Sequence, residues 1–160
     1  MRLQILAVGK MKAGPEQELY ARYADRISKS GKALHLIGPD LIEIPESRQA
    51  DATARKADES NQLLQRAEDD ARIIVLDERG KDLTSVEFSK LIQSEQDAGT
   101  GTLAFAIGGP DGHGEEITSK SVRKIRLGAM TWPHQVARIL LAEQIYRAIT
   151  ILSGHPYHRV

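Results

Sequence analysis

Leu103-Ala104-Phe105-Ala106-Ile107-Gly108-Gly109-Pro110-Asp111-Gly112 is an apolar run that breaks into a glycine loop. A short apolar run bounded by turn residues reads as a buried strand. Glycines directly after it mark a place where something approaches the backbone closely. Similar runs recur along the chain at Leu3–Val8, at Leu34–Ile37 with Leu41–Ile44, and at Ile73–Leu76, with a short fifth at Lys124–Leu127. Gly38-Pro39-Asp40 interrupts the second, and Asp77-Glu78-Arg79-Gly80 closes the third as a turn. Helical patterns lie between them. Pro15–Ser28 carries Leu19, Tyr23 and Ile27 at four-residue spacing. Ala50–Asp69 is highly charged with a thin apolar stripe and is expected on the surface. Thr84-Ser85-Val86-Glu87 is a capping box that opens a helix. A last long helix begins near Pro133 and ends at Gly154. Strands alternating with helices imply an α/β fold, a mostly parallel sheet with helices on both faces, in a single domain over 1–160.

Ligands of such sheets sit beyond the carboxyl ends of strands. Leu76-Asp77, Gly108-Gly109-Pro110 and the segment Leu127–Trp132 all fall at such ends. The glycine loop lacks the Gly-Lys-Ser/Thr ending of a phosphate loop and does not space its glycines as G-x-G-x-x-G. Pro110 also removes an N–H that a phosphate cradle needs. The loop therefore suits a nucleoside or amino-acid group, or is simply a tight strand–helix turn.

The chain has no cysteine, so disulfide and thiolate metal sites are excluded. His155 and His158 have few further donors for a zinc site, and no metal is expected. No run approaches the roughly 20 apolar residues of a membrane helix, so a soluble, cytoplasmic protein without a membrane partner is expected. Net charge is zero but unevenly spread. From Ile117 onward seven basic residues face only Glu143, a net charge of +6, so the rest carries −6. The C-terminal part is thus expected to face an anion. The tail Tyr157-His158-Arg159 supplies an aromatic ring, a group titrating near neutrality and a phosphate fork. It follows Gly154 and Pro156 and is expected to lie outside the packed helix.

These motifs resemble the RlmH family, the smallest members of the SPOUT class of methyltransferases. The resemblance runs almost the full length. It is carried by Leu3–Lys10, Leu76–Lys81, Ile107–Gly112, Thr131–Arg138 with Glu143–Ala148, and His155–Arg159. It implies methyl transfer from S-adenosyl-L-methionine to N3 of a pseudouridine in 23S ribosomal RNA, within an assembled ribosome or large subunit. It also implies a homodimer and a C-terminal trefoil knot. Cofactor contacts implied by it are Leu76, Gly108, Leu127, Gly128, Ala129, Met130, Thr131 and Trp132.

For the chemistry, N3–H is a poor nucleophile until deprotonated. His158 is the first candidate for the base, Tyr157 for stacking on the target, and Arg159, Arg147 or Arg138 for holding charge or phosphate. Two other readings use the same residues: a non-catalytic ribosome-associated binding module and a flavodoxin-like nucleotide binder.

Overall fold

A computed structural model describes residues 1–158. Its strands are β1 (Arg2–Val8), β2 (Ile37–Ile44), β3 (Arg72–Asp82), β4 (Thr102–Ile107) and β5 (Arg123–Arg126). Its helices are α1 (Pro15–Gly31), α2 (Ala52–Arg66), α3 (Ser85–Asp97), α4 (Glu115–Thr118) and α5 (His134–Leu152). The strands form one sheet in the order β2-β1-β4-β3-β5, and every pairing is parallel. Parallel strands need crossovers that cover both faces, so the central strands are apolar throughout. β4 is buried at all six positions.

One face of the sheet packs against α1, α3 and α5 through Leu3, Ile5, Phe105, Phe88, Leu141 and Ile145 among others. The opposite face packs Leu6, Val8, Val75 and Ala106 against Leu63 of α2 and Ile117 of α4. α3 starts at the expected capping box. Thr84 Oγ1 accepts from the Glu87 N–H at 3.2 Å, and the Glu87 carboxylate accepts from the Thr84 N–H at 2.8 Å.

Two local expectations change. β2 is one strand through Gly38-Pro39-Asp40, preceded by a single 3-10 turn at Lys32–Leu34 instead of a strand start. It lies at the sheet edge, where a proline is tolerated, and a register shift opposite Arg2–Gln4 absorbs the irregularity. Gly38 has φ 111°, and a Cβ there would stand 2.5 Å from the Leu3 carbonyl oxygen. Likewise Asp77–Gly80 does not end the third strand: β3 runs on through it with a register shift. Leu76 and Lys81 both pair with Ile125, so the intervening residues loop out toward the carboxyl end of the sheet. A Cβ on Gly80 would lie within 3 Å of three Ile125 backbone atoms, so only glycine lets the returning strand pass this close.

Candidate active site

α3 leaves β3 toward one face of the sheet, and α4 leaves β4 toward the other. Between two such diverging connections the strand ends open a crevice. It holds a cavity of about 390 Å³. Its walls are the β3 excursion from Leu76 to Arg79, the glycine loop from Ile107 to His113, and the segment after β5. Of the residues singled out from the sequence, Leu76, Gly108, Leu127, Gly128, Met130, Thr131 and Trp132 all line it. Ala129 is exposed and not part of the wall.

The glycine loop is closed by the Gly112 N–H donating to the Gly109 carbonyl at 2.9 Å. Gly112 has φ 83°. A Cβ on Gly108 would come 3.0 Å from the Gly112 carbonyl carbon, so the loop closes too tightly there for a side chain to fit easily. The segment after β5 folds on itself. The Trp132 indole N–H donates to the Leu127 carbonyl at 3.0 Å, and the Thr131 hydroxyl donates to Glu78 at 3.3 Å. Trp132 is 41% and Met130 75% exposed at the mouth. A second cavity of about 340 Å³ shares Arg126, Leu127, Gly128 and Trp132 and reaches the apolar side chains of Phe88 and Leu140. His113 lines the first cavity with Nε2 3.2 Å from the Ala106 carbonyl, and burial pushes its imidazole below its ordinary value. His134, in the first turn of α5, also faces this cavity.

α2 has a role its composition does not announce. Arg55 holds Asp111 through Nε at 2.7 Å and Nη2 at 3.3 Å. Ser60 Oγ accepts from the Gly114 N–H at 2.8 Å. Glu59 is buried beneath Gly109. Lys56 lines the cavity. Helical spacing puts these four on one side of α2. A polar helix face reads in a sequence as solvated, which is why these residues escape notice there.

The tail does not hang free. Gly154, at φ 68°, reverses the chain after α5, and the His155 N–H returns to the Thr150 carbonyl at 2.9 Å. Tyr157 then packs edge-on against Tyr146 at 4.8 Å, lies under the Arg147 guanidinium at 4.9 Å, and donates its hydroxyl to Glu143 at 3.1 Å. Burial, then Tyr23 and Glu143, push its phenol well above the ordinary range, so it stays protonated. His158 Nδ1 is 3.4 Å from Arg147 Nη1. Arg159 lies outside the described residues. Glu143 is nine residues along α5 from His134, about 14 Å at 1.5 Å per residue. Tyr157 and His158 therefore stand apart from the cavity of their own chain.

The C-terminal cations are also mostly engaged. Arg138 is 1% exposed, donates to Glu43 at 2.6 Å and to the carbonyls of Val8 and Gly9 at 2.5 and 2.7 Å, and ties α5 to β1. It is not a phosphate contact, because water and anions cannot reach it. Arg147 pairs with Glu143, and Arg126 with Asp82. Among the described residues, the cavity-lining Lys and Arg side chains with no salt-bridge partner are Lys56 and Arg79.

Residues 1–158 match the family model described as "Predicted SPOUT methyltransferase". The chain is 52% identical over 159 residues to the Ribosomal RNA large subunit methyltransferase H of Brucella anthropi, covering 99% of both chains. It is 49% identical to the protein of that name from Agrobacterium fabrum, covering all of both. A wholly parallel sheet, with three loops meeting at one carboxyl-end cavity and this match from end to end, means that the chain belongs to the SPOUT methyltransferase family.

Proposed function

We propose that this protein transfers the methyl group of S-adenosyl-L-methionine to N3 of a pseudouridine in 23S ribosomal RNA, as a cytoplasmic homodimer. The observation that carries the reading is the convergence of three strand-end loops on one cavity in a chain so similar to the large-subunit methyltransferases. No helix of the described residues is long and apolar enough to cross a membrane.

The residues fit the cofactor. Glycines and polar side chains line the larger cavity, and the second one, beside Trp132, reaches Phe88 and Leu140. An extended ligand with a polar amino-acid end and a flat base suits that pair of spaces. Leu76, Gly108 and the segment Leu127–Trp132, with Ala129 contributing backbone alone, would hold it. When bound, the cofactor supplies an electrophilic methyl group on a sulfonium.

The chain's own residues then have three tasks. They hold the target nitrogen in line with the methyl group, which supplies much of the rate. They take up the N3 proton, with His158 as the base, so that the nitrogen lone pair would be free to accept the methyl group. They balance charge on the flanking carbonyl oxygens, with Arg159 as the donor and Tyr157 stacking on the base. His158 is packed on α5, away from its own cavity. The tail of a second copy must therefore reach the cavity, or the tail must swing. Lys56 and Arg79 line the cavity without a salt-bridge partner and suit the phosphates that flank the target.

The test is incubation of the protein with methyl-labelled S-adenosylmethionine and ribosomes lacking the modification, followed by mapping of the label. Label on N3 of a single large-subunit pseudouridine is expected. Ribosome binding without transfer would favour the non-catalytic binding module.

A further inference from the structure

Glu59 is 3% exposed, in the middle of α2. Its Oε1 accepts from the Ser47 N–H at 2.8 Å, while its buried Oε2 has no hydrogen-bond partner. Oε2 is turned toward the glycine loop. It stands 2.7 Å from where a Cβ on Gly109 would be, and Val8 Cγ1 stands 3.1 Å from the same point. One turn earlier on α2 Arg55 grips Asp111, and the next residue, Ser60, takes the Gly114 N–H. One side of one helix thus meets the loop at three successive places.

We infer that Glu59 is a positioning residue for the methyl-transfer site: its buried carboxyl sets the place of Gly109, and through it the backbone that walls the cavity. The inference rests on the cofactor reading of that cavity. A carboxyl wedged between the Ser47 N–H and a glycine stops the loop from sinking toward α2, and Arg55 and Ser60 stop it from sliding sideways. The groups facing Glu59 are mainly acidic: Asp111, Glu46 and Asp58. The guanidinium of Arg55 is already committed to Asp111. Burial raises the pKa of Glu59, the Ser47 N–H opposes that shift, and these carboxylates add to it. An ionised carboxylate with one bare buried oxygen would be costly. Glutamine keeps the length of the side chain and an acceptor for the Ser47 N–H, and alanine keeps neither.

The experiment is calorimetric titration of the intact protein with S-adenosylmethionine, well below the melting temperature of each variant, with folding checked by circular dichroism. Wild type is titrated first, and absence of binding there would overturn the cofactor reading itself. Given wild-type binding, Glu59→Ala is expected to weaken affinity at least ~10-fold, and Glu59→Gln to stay within ~3-fold. Gly109→Ala alone should also weaken binding, because its methyl meets Oε2. In the double variant Glu59→Ala/Gly109→Ala the methyl enters the vacated space. The two losses should then fail to add, as expected for residues in contact. A loss confined to thermal stability would mark Glu59 as structural only. Unchanged affinity in Glu59→Ala, or strictly additive losses, would overturn the inference. Glu59→Gln as damaged as Glu59→Ala would overturn the reading that the length of the side chain and its Ser47 contact set the loop. If Glu59→Ala does not fold, the glutamine and Gly109→Ala arms decide.

Discussion

His113 closes the inner end of the glycine loop, with its ring under the cavity and Nε2 against the Ala106 carbonyl. Burial lowers its pKa, with the charge of Lys124 adding to the effect while the Ala106 and Leu76 carbonyls and Asp77 oppose it. The unfolded chain binds a proton near the ordinary histidine value of about 6.5. The folded chain does so only at lower pH. The unfolded state therefore holds more protons in the window below ~6.5, and the stability that neutral His113 brings is present above that pH and lost as pH falls through it. Denaturant melts of wild type and His113→Asn at pH 7.5 and 5.5 should show the wild type losing more stability on acidification. Equal losses would show that His113 does not titrate with folding. Its neighbour loop was legible as a string of glycines, but the reason for each glycine was not. Gly108 faces Gly112 across the loop, while Gly109 faces a glutamate fifty residues earlier in the chain.

At the level of elements, the tail and α2 depart most from the sequence reading. Proline and glycine before Tyr157 suggest a free end, yet Gly154 turns the chain back along α5. An edge-on aromatic pair contributes about 0.5–1.5 kcal/mol, and a hydrogen bond to a carboxylate about as much or more. Tyr157→Ala is therefore expected to lower unfolding stability by about 1–3 kcal/mol. Urea unfolding at neutral pH measures this, and an unmoved midpoint would return the tail to solvent. This differs from the expectation that the tail lies outside the packed helix. α2 looked like a solvated helix because its polar residues outnumber its apolar ones. Its apolar stripe does reach the core at Leu63, and part of the polar face is covered by a loop that arrives from β4.

For the whole molecule, the decisive distance is that between the docked tail and the cavity of the same chain. If His158 and its neighbours serve a partner's cavity, two inactive proteins must complement one another. Gly108→Val should lose the cofactor site, since even a Cβ there crowds the loop, while keeping its tail. His158→Ala should lose the base while keeping its cavity. Mixed and allowed to exchange subunits, equal amounts should recover about a quarter of wild-type transfer, because half of randomly reassorted dimers carry one intact site. No recovery, despite exchange shown by tagged subunits, would place each tail on its own cavity. Light scattering should report twice the 17.7 kDa of one chain. α5 is apolar around much of its circumference, and the sheet, α1 and α3 of the same chain cover it. The family's C-terminal trefoil knot follows from membership alone. No periodicity predicts it, since ordinary connections avoid threading.

Local patterns carried the α/β class, the order of the elements apart from the short α4, the capping box of α3 and the three loops at strand ends. Each of these depends on residues a few positions apart, through burial period, turn chemistry or capping, and such effects are written in the chain itself. Three things were decided only in three dimensions. The strand order β2-β1-β4-β3-β5 brings Leu76, Gly108 and Leu127 to one crevice. The pairing of charges removes Arg138, Arg147 and Arg126 as free cations and leaves Lys56 and Arg79 at the rim. The polar side of α2, with Glu59 at its centre, becomes the seat of the glycine loop. The physical reason is common to all three. Charge pairing and close packing act over a few ångströms of space, and the partners here lie tens of residues apart in sequence. A net charge counted along the chain therefore cannot tell a buried, satisfied arginine from one that waits for a phosphate.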